Sequence, residues 1–202
     1  MDVTGLRIWV VGDGPLADDI RHELTGLGAL VVGDDETTID ACVFAPWQKS
    51  AMTPIPFENL TDENFDQAWQ QTMDWAVATC TEARKKFQNA NGGTAQGSVV
   101  LTTFTTGFAG GSHYAHWAAA AEGVHILTKS IARQWGPEGI SVNCVALAPE
   151  DVLADAQLAG PISIATPANP NAKAAKTIAF LCSSMANDLA GQTLTVDGGI
   201  WM

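Results

Sequence analysis

The chain has 202 residues, with 22 acidic against 10 basic side chains and a net charge of −12. So few Lys and Arg leave no basic stripe for nucleic acid and no attraction to an anionic membrane surface. No apolar run approaches the roughly 20 residues of a membrane span.

The length suits one α/β domain over residues 1–202. With 47% hydrophobic and only 16% charged residues, much apolar area must be buried inside the chain or against another subunit. The chain enters a strand-like segment at once, with no basic and apolar leader, so a cytoplasmic location is expected. Cys42, Cys80, Cys144 and Cys182 are widely spaced in apolar sequence and are expected to be buried free thiols.

In chain order, residues 6–11 (LRIWVV) predict a buried strand, followed by GDGPLA and a helix from about Leu16 to Leu27 that Gly28 ends. Residues 29–33 predict a second strand, DDETTID a polar connector, and 41–46 a third strand stopped by Pro46. Residues 47–61, with Pro54 and Pro56, read as a surface loop. Thr61 and Asp62 then offer caps to a long helix over 63–88. Its apolar stripe, Phe65, Ala68, Trp69, Thr72, Met73, Ala76, Val77, Cys80, Ala83 and Phe87, is wide enough to bury on more than one side. A turn (NANGGTAQG) leads to a strand at 98–104, and the Gly-rich TTGFAGGSH to a helix at about 114–135. A strand at 140–147, an Ala/Pro-rich loop over 148–171, a helix at 172–182 and a closing strand QTLTVDGG complete the pattern. Strands alternating with helices imply a doubly wound parallel sheet covered on both faces.

Gly12-Asp13-Gly14-Pro15-Leu16-Ala17 fits the GxGxxA form of a dinucleotide fingerprint between strand and helix. Asp34 stands about twenty residues on, where a ribose-binding acid belongs. Gly12, Gly14 and Asp34 are therefore the candidate cofactor residues. Against them, Pro15 has no N–H for a phosphate, and Asp13, Asp18 and Asp19 oppose a pyrophosphate at the helix N-terminus. No cofactor is expected, with NAD as the alternative. Asp34 and Asp35 would repel the extra phosphate of NADP.

From about residue 97 onward the sequence resembles the short-chain dehydrogenase/reductase family. GSVVLTTFTTG is similar to that family's GSIVNISS-type strand, and GVHILTKSIARQWGPEGISVNCVA to its helix and strand after the active site. AFLCSSMANDLAGQTLTVDGG resembles the FLxS…TGQ…VDGG ending, and ENFDQAWQQTMDWAVATCTEA the fourth helix. The resemblance implies a single Rossmann-like domain, and the N-terminal half is shorter than the family's by about one strand and one helix. The second strand passes by a short connector straight to DACVFAPW, which resembles the strand normally ending in NAG. The family's TGxxxGxG spacing is broken, with Leu16 and Asp18 at its second and third glycines.

Family members use a Tyr, a Lys four residues later, a Ser thirteen before the Tyr, and an Asn on the fourth helix. Aligned on the LT of HILTK, these positions hold Trp117, Ala121, Phe104 and Thr72. The resemblance thus implies a site without its proton donor, its cation or its oxygen-binding hydroxyl, and no catalytic residue is expected. An indole N–H donates but does not titrate usefully. No shifted register restores a YxxxK pair: the one tyrosine, Tyr114, has Ala118 four residues on, and Lys129 lies about four helical turns away. Proton exchange among His113, His116 and Glu122 is the other possibility, against a solvated helix start. Phe104 and Trp117 are expected to fill the former pocket, the small residues of WAAAAEG to admit a neighbouring helix, and the short, polar-poor stretch after Pro149 to leave no well-formed substrate pocket.

The retained segments, helices 63–88 and 114–135 and the stretch 193–202, are those through which family members assemble. The resemblance therefore implies a structural or regulatory subunit that pairs with itself or with an active paralogue. Heteromeric members acting on hydroxyacyl-CoA compounds are the precedent. The alternatives are an NAD-dependent oxidoreductase with a diverged site and a ligand-binding sensor.

Overall fold

The computed structural model describes residues 2–160 and 173–200. Six parallel strands form one sheet: β1 (Arg7–Val11), β2 (Leu30–Val32), β3 (Ala41–Phe44), β4 (Gly97–Phe104), β5 (Ile140–Leu147) and β6 (Thr193–Val196). Their order is β2-β1-β3-β4-β5-β6. β3, β4 and β5 are buried almost throughout, which explains why they read as unbroken apolar runs rather than alternating ones.

Helix α1 (Pro15–Gly26) carries the chain from β1 to β2, with Pro15 at its first position and Gly28 (φ 89°) just past its end. The long helix foreseen at 63–88 is α2 (Asp62–Trp69), a π-helical turn over Gln70–Asp74, and α3 (Trp75–Ala90). Thr61 and Asn64 form a reciprocal capping box at its start. Its inward stripe is Ala68, Thr72, Ala76, Cys80, Ala83 and Phe87, whereas Phe65, Trp69 and Val77 face outward. A short helix α4 (Thr106–Ala109) precedes α5 (Ala115–Trp135), and α6 (Pro149–Val152) and α7 (Ala174–Cys182) follow β5. In α5, Trp117, Ala121, Val124, Thr128 and Ile131 recur at helical spacing on the buried side. The expected close helix approach occurs at Gly123, where a Cβ would stand 2.8 Å from the Met73 sulfur. Residues 161–171 of the Ala/Pro-rich loop, the first residue of the predicted helix 172–182, and 201–202 of the closing segment lie outside the described residues.

The expected shortening is visible between β2 and β3. The connector over 33–40 crosses β1 without a helix, and β3 pairs directly with β1, Ile8 opposite Ala41 and Val11 opposite Phe44. Four side chains fasten it, among them Asn89 of α3, which donates to the Thr37 carbonyl (3.1 Å). Arg7 holds Asp40 in a two-pronged pair (2.8 and 3.0 Å) and also donates to Thr38. The Trp9 indole donates to Asp34 Oδ1 (2.8 Å). Lys86, 5% exposed on α3, donates to the carbonyls of Asp34 (2.9 Å) and Glu36 and lies 4.9 Å from the Trp9 ring centre.

All four cysteines are buried and free, as expected. Burial pushes the thiols of Cys80, Cys144 and Cys182 up to about 12 and raises Cys42 as well. No helix among the described residues is long and apolar enough to cross a membrane.

Candidate functional site

In an open α/β sheet a ligand belongs in the crevice at the carboxyl ends of the strands, where the winding direction reverses. Here the reversal falls between β1 and β3. Two cavities open along that line. One, of about 320 Å³, is lined by Trp9, Gly12, Asp13, Arg21, Asp34 and Glu82 among others. The other, of about 200 Å³, is bounded by Trp47, Met52, Gln71, Thr72 and Trp117. Trp75 lines both.

The first cavity brings together two of the three candidate cofactor residues. Gly12 (φ 138°) is required by packing: a Cβ there would stand 2.0 Å from the Ala45 carbonyl oxygen. Gly14 (φ 91°) is the N-cap of α1 and does not line the cavity. Asp34 already accepts the Trp9 indole N–H through one oxygen, a structural use the spacing alone did not reveal. The Arg21 guanidinium is occupied by Asp18 and by the carbonyls of Val10 and Gly12. Three carboxylates, Asp13, Asp34 and Glu82, complete the rim.

The second cavity lies where the resemblance puts the reaction centre. Thr72 and Trp117 line it together. The Thr72 hydroxyl is spent on the Ala68 carbonyl (2.6 Å), the usual local bond of a threonine inside a helix. Phe104 is fully buried beneath, with its ring edge-on to Trp47 at 5.0 Å. Ala121 is fully buried; its carbonyl accepts the Thr103 hydroxyl (2.8 Å), and its methyl would be 3.1 Å from a Cβ at Gly107. None of the residues lining this cavity titrates.

Two expectations are corrected here. The loop at 47–61 is not wholly superficial: Trp47 and Met52 are 2% and 1% exposed. Trp47 can be interior because its N–H donates to both the carbonyl (3.0 Å) and the hydroxyl (2.9 Å) of Thr102, and that hydroxyl donates on to Phe44 O (2.8 Å). Trp47 thus joins Phe104 and Trp117 in this region, packing edge-on to Phe104 while Trp117 lines the cavity of about 200 Å³ that remains. The loop also carries Ile55, Phe57 and Leu60, which are exposed or half-buried, so local composition does not single out Trp47 and Met52. Second, the start of α5 is not solvated throughout. His116 is 3% exposed between Phe65 and Trp117, and its burial lowers its pKa.

The other titratable candidates do not converge. His113 (φ 67°) meets Ser112 (2.7 Å), and Glu122 meets His125 (3.0 Å). The Tyr114 phenol donates to the Asp155 carbonyl (3.1 Å) and accepts from the Asp155 amide (2.9 Å), tying α5 to the segment after α6. Burial raises the pKa of this phenol.

A family model described as enoyl-(acyl carrier protein) reductase matches residues 37–201. The 3-oxoacyl-(acyl-carrier-protein) reductase FabG of Escherichia coli (strain K12) is 31% identical over 156 residues, covering 73% of this chain and 64% of its own. That of Staphylococcus aureus (strain Mu50) is 30% identical, with 73% and 63% covered. The chain thus spans a little under two thirds of the length of these relatives. Among solved structures, 3-ketoacyl-(acyl-carrier-protein) reductase from Brucella melitensis complexed with NADH has a TM-score of 0.81 at 17% identity, covering 99% of this chain and 100% of that one. A short-chain dehydrogenase from Leptospira borgpetersenii with bound NAD+ has a TM-score of 0.71 at 16% identity, with 98% and 93% covered. These two share the fold and hold NADH or NAD+, so NAD is a possible ligand of such a fold, and the expectation of no cofactor gains no support from them. With the family model matched over most of its length and its doubly wound parallel sheet, the chain belongs to the short-chain dehydrogenase/reductase family.

Proposed function

We propose that the chain is a non-catalytic subunit that assembles with an active short-chain dehydrogenase/reductase paralogue. The observation that carries this reading is the cavity bounded by Trp47, Thr72 and Trp117, whose lining offers no group able to give or take a proton near neutral pH. Reversible reduction of a carbonyl needs such a group beside the oxygen. The assembly half of the reading draws on exposed apolar side chains: Phe65, Trp69 and Val77 along α2 and α3, and Ile126 on α5. These lie on the two helices through which the resemblance implies pairing, and a second copy of this chain is the other partner they suit. The relatives are named as reductases of 3-oxoacyl-(acyl-carrier-protein), so the complex is proposed to act on a 3-oxoacyl or hydroxyacyl compound.

A second reading, an NAD-dependent oxidoreductase with a diverged site, is favoured by the meeting of Gly12 and Asp34 in one cavity. The two part on one experiment: co-expression with a paralogue bearing an intact YxxxK motif, then mass measurement of the purified complex and assay of each chain alone. The subunit reading expects a stable hetero-oligomer with all turnover in the paralogue. A chain that stays apart from every such paralogue and turns over alone supports the second reading.

A further inference from the structure

We propose that His116 is an acid-sensitive clasp between α5 and α2, whose protonation releases α2 and with it the Phe65 and Trp69 side of the exposed apolar face. His116 is buried on the first turn of α5, its ring tilted against Trp117 at 5.5 Å and edge-on to Phe65 of α2 at 6.2 Å. Its Nδ1 is buried and has no hydrogen-bonding partner in the protein. A neutral ring can leave that nitrogen bare, whereas the imidazolium must place an N–H and a charge there. The charged groups on the surrounding elements are all engaged elsewhere or exposed. α2 carries Asp62, Glu63 and Asp66, and the segment before it Glu58, each of them exposed, and Lys49, which donates to the Glu150 carbonyl. On α5, Glu122 meets His125; in the preceding loop, His113 meets Ser112; and Asp155 reaches α5 through its backbone bonds to Tyr114. No charged group contributes to the lowered pKa of His116, whose cause is burial.

α2 is the element that gives way. Of its 8 residues only Ala68 is buried, and Phe65 and Trp69 face outward. Its side-chain hydrogen bonds stay within its own capping box, and among the described residues no salt bridge reaches it. The ring contact at His116 is therefore one of the few ties between α2 and the body of the domain. The π-helical turn over Gln70–Asp74 separates α2 from α3, whose inward residues Ala76, Cys80, Ala83 and Phe87 are fixed in the core, and gives the helix a point at which to bend. Gln71 and Thr72 in that turn line the cavity beside Trp117, so release opens the crevice as well as the outer face. The release does not rest on the subunit reading; only its consequence for pairing does. Because the native pKa lies below the ordinary 6.5, the contact is kept in full above that value and weakens as pH falls below it.

The test is amide hydrogen exchange of the full chain at about pH 7.5 and about pH 5, corrected for the intrinsic exchange rate. Opening of α2 should rise about five- to thirtyfold at the lower pH, the upper figure being that of a released ring with the ordinary 6.5 and a held ring that takes no proton. The amides of β4 should keep their protection. His116→Phe keeps a ring against Phe65 and Trp117 with no proton to gain and should show no rise; His116→Leu makes the same comparison if the phenyl ring does not fit. An α2 exchange rate that ignores pH in the unaltered chain overturns the proposal, as does an equal rise in a folded variant or a rise shared by β4. None of these results bears on turnover, so the non-catalytic reading stands or falls separately.

Discussion

Lys86→Met should lower stability by about 2–4 kcal/mol. The lysine sits at 5% exposure, donates to the Asp34 and Glu36 carbonyls and lies 4.9 Å from the Trp9 ring centre. Hydrogen bonds from a charged donor contribute about 1.5–3 kcal/mol each, and the cation over the indole about 0.5–2 kcal/mol. Removing the ammonium also removes the cost of burying it, and water can reach the carbonyl of exposed Asp34, so the net effect falls below the sum. Methionine keeps the apolar stem, which confines the change to the head group. At roughly 2–4 °C per kcal/mol for a chain of this size, Tm should fall by about 5–15 °C, measured by circular dichroism at 222 nm. The loss should be accompanied by faster amide hydrogen exchange over 33–40, because the connector has no helix of its own to hold it. A Tm change under about 2 °C would refute the idea that this lysine anchors the segment standing in for the missing strand and helix.

Gly12→Ala should cost more than about 3 kcal/mol whether or not nucleotide is present, since its Cβ would meet the Ala45 carbonyl oxygen at 2.0 Å; chemical denaturation measures it, and a near-neutral variant would show that the close approach is not needed. The four thiols should resist a disulfide reagent at pH 8 in the native chain and all react in denaturant, because each is buried. Their native pKa values lie above the ordinary 9, reaching about 12 for Cys80, Cys144 and Cys182. The stability they contribute is complete below pH 9 and is lost as pH rises toward about 12, so denaturant midpoints should decline over that window; a midpoint flat to pH 11 contradicts the burial. Tyr114→Phe should lose about 1–3 kcal/mol, since the Asp155 amide and carbonyl both lose a buried partner; an unchanged Tm would mean water replaces it.

The sheet was legible because its strands are short apolar runs punctuated by Gly, Pro and Asn, and α5 because Trp117, Ala121, Val124, Thr128 and Ile131 repeat at helical spacing. The π-helical turn at Gln70–Asp74 was not, since the apolar stripe runs through it unbroken and only the hydrogen bonding changes. Trp47 was missed for a related reason: its hydrogen-bonding partner lies 55 residues away on β4, and nothing local to a Pro-rich loop announces it. Asp34 lines the crevice, yet its use by Trp9, 25 residues earlier, depends on the connector folding back over β1 and is not written in the local pattern. Long-range partners of this kind set what a side chain does after local pattern has set where it is.

The most direct measurement is of the purified chain alone, following NADH and NADPH oxidation with a panel of 3-oxoacyl thioesters and simple ketones. With an indole, a methyl and a phenyl ring at Trp117, Ala121 and Phe104, the rate should equal that of buffer across pH 5–9. A rate that scales with chain concentration, saturates with substrate and changes in Trp117→Phe would contradict the account.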